Sequence, residues 1–140
     1  MEMSFIGEVA MRLVAATLIG SGIGLDRELR HKPAGLKTHA LVALGACLIT
    51  VVCAFLPDAA SLSRGIQGII AGVGFLGGGA ILKSNGEMVQ GLTTAASIWL
   101  AASLGIACGA GQWIMAVIAL FIALIVLVFG NVVERRFRRE

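Results

Sequence analysis

The sequence carries no Asp, Glu, Lys or Arg between Met88 and Val133. One bilayer crossing needs about 20 apolar residues, so an uncharged run of this length excludes a water-facing surface and marks an integral membrane protein. Charge is scarce throughout: of 140 residues 14% are charged and 58% hydrophobic, with a mean hydropathy of +0.94. A soluble domain carries about one-quarter charged residues, and this chain has too few to coat a globule of its length. One compact membrane domain fits that balance.

Histidine is limited to His31 and His39. No nucleophile with a base and an orienting partner can be assembled from them, so an enzyme is not expected. The three cysteines, Cys47, Cys53 and Cys108, lie in apolar context without a Cys-x-x-Cys pair or a histidine at ligand spacing. That pattern argues against a zinc site and a disulfide framework; the cysteines read as small buried hydrophobes, and no cofactor is implied. Glu2, Glu8 and a single Arg12 stand in and before the first apolar stretch, which is not the positive leader of a signal peptide.

Five apolar segments are present, at Phe5 to Leu25, Thr38 to Leu56, Gly65 to Leu82, Gly91 to Cys108 and Trp113 to Asn131. The turn Gly109 to Gln112 divides the long uncharged run, because glycine lets the chain reverse without steric penalty. The connectors Asp26 to Lys37, Pro57 to Arg64 and Lys83 to Gln90 are short, so neighbouring helices should pack antiparallel. The fold expected is an all-α bundle of five transmembrane helices over residues 1–133, followed by a short basic tail at 134–140.

The sequence pI is about 9.1, and its basic residues flank apolar spans. Anionic lipid and topology explain them, and nucleic acid is not an expected partner. Arg27, Arg30, Lys32 and Lys37 follow span one, Lys83 follows span three, and Arg135, Arg136, Arg138 and Arg139 follow span five. Only Arg64 falls on the other side. Short loops rich in Lys and Arg stay cytoplasmic, which places the N-terminus outside and the C-terminus in the cytoplasm.

The densest polar stretch runs from Asp26 to His39 and contains Asp26, Arg27, Glu28, Lys32, Lys37, Thr38 and His39. Pro33 and Gly35 fix a turn within it. It reads first as a solvated, positively charged anchor that sets orientation. The sharper alternative is a surface that docks a partner, recognises a charged ligand or holds a hydrated cation through Asp26 and Glu28; whether a metal binds stays open, since Mg2+ sites need only one or two carboxylates. Thr93, Thr94 and Ser97 begin span four on the same side, either as interhelical hydrogen-bonding groups or as a polar site beneath that loop. Glu8 and Arg12, four apart, can meet on one face of span one near its outer end. Trp113 opens span five as an interfacial aromatic does, with Trp99 deeper in span four.

Span three is rich in glycine at Gly68, Gly72, Gly74, Gly77, Gly78 and Gly79. Four-residue spacing reads as a helix-packing face, within one bundle or between copies. The run Gly77 to Gly79 could alternatively break the helix. Gly72-x-Gly74-x-x-Gly77 matches a dinucleotide fingerprint only formally, since no strand precedes it and no acid follows at the required distance.

Three motifs occur in order: Gly24-Leu25-Asp26-Arg27-Glu28 with Lys32-Pro33-Ala34-Gly35-Leu36-Lys37-Thr38-His39, then Gly74-Phe75-Leu76-Gly77-Gly78-Gly79-Ala80-Ile81, then Gly91-Leu92-Thr93-Thr94-Ala95-Ala96-Ser97. Together they resemble the MgtC/SapB family of bacterial membrane proteins, from span one through span four. Lys37 stands where the family commonly has Arg. The resemblance implies five membrane helices in the bacterial inner membrane and a role in growth under magnesium limitation and, in pathogens, survival in host cells. Longer members continue into a cytoplasmic domain, so the resemblance is to the membrane core, the short SapB-like form. Two functions follow as expectations. The leading one is a non-enzymatic protein that acts on another membrane complex or self-associates in the bilayer; the alternative is a transporter or channel for Mg2+ or another cation.

Overall fold

The computed structural model describes residues 2–58, 60–84 and 88–137. Five helices follow in order: α1 Glu2–Leu29, α2 Leu36–Ala54, α3 Ser61–Ala80, α4 Leu92–Gly109 and α5 Trp113–Phe137. Between α3 and α4 the strands β1 Leu82–Ser84 and β2 Met88–Gln90 pair antiparallel, with Lys83 opposite Val89. The expected connector Lys83 to Gln90 therefore contains a small two-stranded sheet in an otherwise helical chain. Arg138 and Arg139 of the basic tail lie outside the described residues.

Among the described residues, α1, α2, α4 and α5 are long and apolar enough to cross a membrane. The expectation of five such spans is met by four. α3 is long enough at 20 residues, but its many glycines contribute little hydropathy and Arg64 and Gln67 lower it further. Half of the α4 span is buried within the chain against 11% of the α5 span, so α4 is the central helix and α5 a peripheral one. α1, α2 and α4 pack on one another; α3 leans on α4 and α2, and α5 on α1 and α4.

The first helix runs four residues past its expected end. Asp26, Arg27 and Glu28 belong to its last turns, not to a loop, because Asp26 and Arg30 are four apart and their ion pair of 2.7 Å supports helix there. Pro33 then prevents continuation. The connection is tight: His31 (φ 53°) and Ala34 (φ 55°) both sit in the left-handed region, which costs a non-glycine residue about 1 kcal/mol. Glu28 Oε2, accepting from the Leu36 amide at 3.1 Å, holds the start of α2 against the end of α1.

α3 starts earlier than expected, at Ser61, because Asp58 organises the turn before it. Its backbone oxygen accepts from the Ser61 amide and its carboxylate from the Ala60 amide and Arg64. These hydrogen bonds, Arg64 foremost, hold the Asp58 carboxyl below its usual range. The helix persists through Gly77–Gly79 and ends at Ala80, so the triple glycine does not break it. The α4–α5 turn falls where expected, with Gly111 at φ +73°.

Two apolar clusters fill the interior. Ala16, Ile23, Cys47, Leu104, Cys108 and Ala116 join α1, α2, α4 and α5; Ala46, Ile69, Val73, Ile98 and Ala102 join α2, α3 and α4. Cys47 and Cys108 are buried, Cys53 half-buried, and all three are free thiols. Small residues set the helix separations. A Cβ on Gly20 would stand 2.6 Å from the His39 carbonyl oxygen, and one on Gly105 would overlap the carbonyl of Ala43.

Candidate functional site

The end of the bundle where α1 finishes and α2 and α4 begin contains a buried polar cluster. Arg27 projects inward from the last turns of α1 and is 4% exposed. Its Nη2 donates to the hydroxyl of Thr94, in the first turn of α4. Its Nε is buried without a hydrogen-bond partner among the described residues. Beside it, the Asp26 carboxylate accepts from Arg30 at 2.7 Å through Oδ1, while Oδ2 is buried and unpartnered.

His39, wholly buried one turn into α2, forms the second half of the cluster. Its Nδ1 lies 2.9 Å from the Gly35 carbonyl and its Nε2 2.9 Å from Ser97 Oγ. A carbonyl only accepts, so Nδ1 carries a proton and Nε2 of the neutral ring accepts from Ser97. The Ser97 hydroxyl also lies 2.8 Å from the Thr94 carbonyl, so its one proton serves either acceptor. Ser97 and His39 thus make the hydrogen-bonded pair that a nucleophile and its base would make. Both are buried, which keeps a substrate from the hydroxyl.

Of the ten polar residues singled out in the sequence, the fold gathers Arg27, His39, Thr94 and Ser97 inside, with Asp26 at their edge. Glu28, Lys32, Lys37, Thr38 and Thr93 are exposed around them. Thr94 and Ser97, three apart, take the inward face of α4; Thr93 points away from it. Asp26 and Glu28 are two apart on one helix and do not face each other. Their carboxylates engage Arg30 and the Leu36 amide. No group of three His, Cys, Asp or Glu side chains that could hold a metal occurs among the described residues.

The α3 glycines stand apart from this cluster. A Cβ on Gly68, Gly72, Gly74, Gly78 or Gly79 would meet nothing within 4 Å, and one on Gly77 would stand 3.5 Å from the Ala95 Cβ. Gly68 and Gly72 line an apolar groove of about 520 Å³ between α2 and α3, together with Gly45 and Leu76.

The opposite end has a polar tie that the sequence showed only in part. Glu8 and Arg12 do pair, at 2.5 Å. Arg12 also donates from Nη1 to the Gly109 carbonyl at 2.6 Å, placing a cation on the C-terminus of α4, where the helix dipole favours it. Gly20, Gly105 and Gly109, three of the glycines at close helix approaches, were not singled out as packing positions. Their flanking four-residue spacing, Gly105 to Gly109, was the available signal.

The model of the MgtC family matches residues 13–136 of this chain. Protein SapB of Bacillus subtilis is 41% identical over 140 residues, covering 92% of this chain and 59% of SapB. Protein SrpB of Synechococcus elongatus is 42% identical over 132 residues, 85% of this chain and 72% of SrpB. Protein MgtC of Brucella abortus is 42% identical over 106 residues, 76% of this chain and 44% of that protein. The chain thus spans under two-thirds of the length of SapB and of the Brucella protein. No solved structure matches it. With residues 13–136 accounted for by one family model and relatives at about 40% identity, the chain belongs to the MgtC family.

Proposed function

We propose that this chain is a non-enzymatic protein of the bacterial inner membrane that supports growth at low magnesium by modulating another membrane complex through the polar end of its bundle. In this reading all five helices cross the bilayer, the N-terminus is outside and the C-terminus cytoplasmic. The observation that carries it is the Arg27–Thr94 and His39–Ser97 pairing. Buried polar groups are costly in an apolar bundle, and four of them, Arg27, His39, Thr94 and Ser97, are gathered at one end, under an exposed rim of Glu28, Lys32, Lys37 and Thr38 that a partner could reach.

Magnesium enters from the family resemblance. The interiors of α2 to α5 offer no carboxylate to a hydrated divalent ion, which parts with its water reluctantly; this supports modulation over conduction. The test pairs growth with flux. Charge-removing substitutions on the rim, Glu28→Gln and Lys37→Gln, should abolish low-magnesium growth while insertion is retained, and the purified protein in proteoliposomes should pass no magnesium. Unimpaired growth removes the docking site, and magnesium uptake by the protein alone replaces the reading with transport.

A further inference from the structure

α3 is the helix least suited to face lipid, since it is not among the four that are apolar enough to cross a membrane. Its inner face is Ile69, Val73 and Gly77, all buried. Opposite them Gln67, Ala71, Gly74 and Gly78 are exposed, at alternating intervals of four and three residues that keep one stripe of a helix turned the same way. A Cβ on Gly74 or Gly78 would meet nothing within 4 Å, so no described part of the chain covers the stripe. Gly68 and Gly72 lie apart from it, on the flank that borders the groove beside α2. The other helices turn large side chains outward, such as Leu18 in α1, Leu48 in α2 and Phe121 in α5.

Gln67 is a second and independent observation on the same stripe. It stands six residues after Ser61, about 9 Å along the helix axis, and its amide has no hydrogen-bond partner among the described residues. An unpartnered amide facing hydrocarbon is costly. The amide both donates and accepts, so it is complementary to another copy of itself. Two copies inserted in the same orientation carry Gln67 at the same depth, where a two-fold axis along the membrane normal brings the two amides together. Arg64, one turn earlier, is paired with Asp58 of its own chain, so two such faces do not repel each other.

We propose that the outer stripe of α3 is the interface of a two-fold dimer, with a second copy of this chain as its occupant. Ala71, Gly74 and Gly78 let the two α3 helices approach closely, and the paired Gln67 amides fix their register by hydrogen bonds across the axis. Ile70 and Phe75, exposed on either side of the stripe, close the edges of the contact against lipid. The dimer goes beyond the modulation reading and rests on it only for the crossing of α3.

The test is disulfide cross-linking of the full chain in native membranes, with copper phenanthroline as the oxidant. Gln67→Cys should give a product of twice the chain's mass, whereas the parent with its native cysteines and Leu18→Cys, on the outward face of α1, should not. Sedimentation equilibrium of the purified chain in neutral detergent should then show a dimer. Gly74→Leu should weaken it by about tenfold or more, and Gln67→Leu by about fivefold. Gly7→Leu, the same change at an α1 glycine whose Cβ would also meet nothing, should leave it unchanged. Should Gly74→Leu fail to fold, Gln67→Leu still decides. A chain that stays monomeric, cross-linking as strong at Leu18→Cys, or a dimer indifferent to both α3 substitutions would each overturn the interface and leave the stripe to lipid or to a different protein. Labelling of both Ser63→Cys and Val89→Cys from outside whole cells would overturn it separately, by removing the crossing of α3, and that readout does not depend on whether copies associate.

Discussion

Thr94 is the hinge on which the buried cluster turns, because it serves two neighbours through different atoms. Its hydroxyl accepts from Arg27, and its carbonyl lies within reach of the Ser97 hydroxyl. Replacing it with valine keeps the shape, leaves the carbonyl in place and removes only the acceptor for a buried cation. A hydrogen bond to a charged group is worth about 1.5–3 kcal/mol, so Thr94→Val should destabilise the protein by about that amount, and Thr94→Ser should recover most of it. Denaturant unfolding in detergent measures both. A valine variant as stable as the parent would mean that Arg27 takes no support from α4. None of this pairing was readable from periodicity. Arg27 and Thr94 stand 67 residues apart, and each alone is an ordinary helix-end residue; the motifs that place them in a known family gave the neighbourhood but not the contact.

At the scale of the helix, glycine has two distinct uses in this chain, and the sequence ranks them the wrong way round. The conspicuous series in α3 looks like a packing face, yet five of its six members border open space. The packing glycines are others: Gly20 opposite His39 and Gly24 against Leu36 in α1, Gly65 against Cys53 near the start of α3, and Gly105 against the Ala43 carbonyl in α4. Spacing reports which small residues share a face, but not whether another helix of the same chain occupies it. Helix ends were misread for a related reason. Asp26, Arg27 and Glu28 look like loop residues because they are charged, while an ion pair four residues apart and Pro33 decide where α1 stops. The turn at Gly109 to Gln112 and the start of α5 at Trp113 were legible, since there the apolar pattern and the glycines change together. The two classes of glycine should separate experimentally. Gly105→Ala forces a methyl into a backbone carbonyl and should cost about 1–3 kcal/mol, the usual penalty of overpacking. Gly72→Ala meets nothing and removes glycine's excess backbone entropy, so it should gain about 0.5–1 kcal/mol. Thermal unfolding of the two variants side by side checks the ordering; destabilisation by Gly72→Ala would show that its face is occupied by another molecule.

In the whole molecule the polar contacts fall at two ends. At one, Arg27 meets Thr94, Glu28 meets the start of α2, and Gly91 lies against the end of α3. At the other, Arg12 reaches the end of α4, Phe5 and Phe55 stack edge to face at 4.9 Å, and Asp58 pairs with Arg64. The apolar middle between them is built of four helices each long and apolar enough to cross a membrane, so the two ends should face opposite sides of a bilayer. The proposed orientation rests on the basic residues: Arg27, Arg30, Lys32 and Lys37 crowd the first end, and Lys83 stands in β1, whereas among the described residues Arg12 and Arg64 mark the second. Translocating a Lys- or Arg-rich loop is unfavourable, so the first end should remain inside. Exposed positions give the test. A membrane-impermeant thiol reagent applied to whole cells should label Ser63→Cys and spare Lys32→Cys and Val89→Cys, and breaking the cells should expose the latter two. Since Lys32 and Val89 flank α2 and α3 on one side of the bundle and Ser63, in the first turn of α3, lies on the other, a reversed pattern would invert the topology. Labelling of Val89→Cys together with Ser63→Cys would show that α3 does not cross.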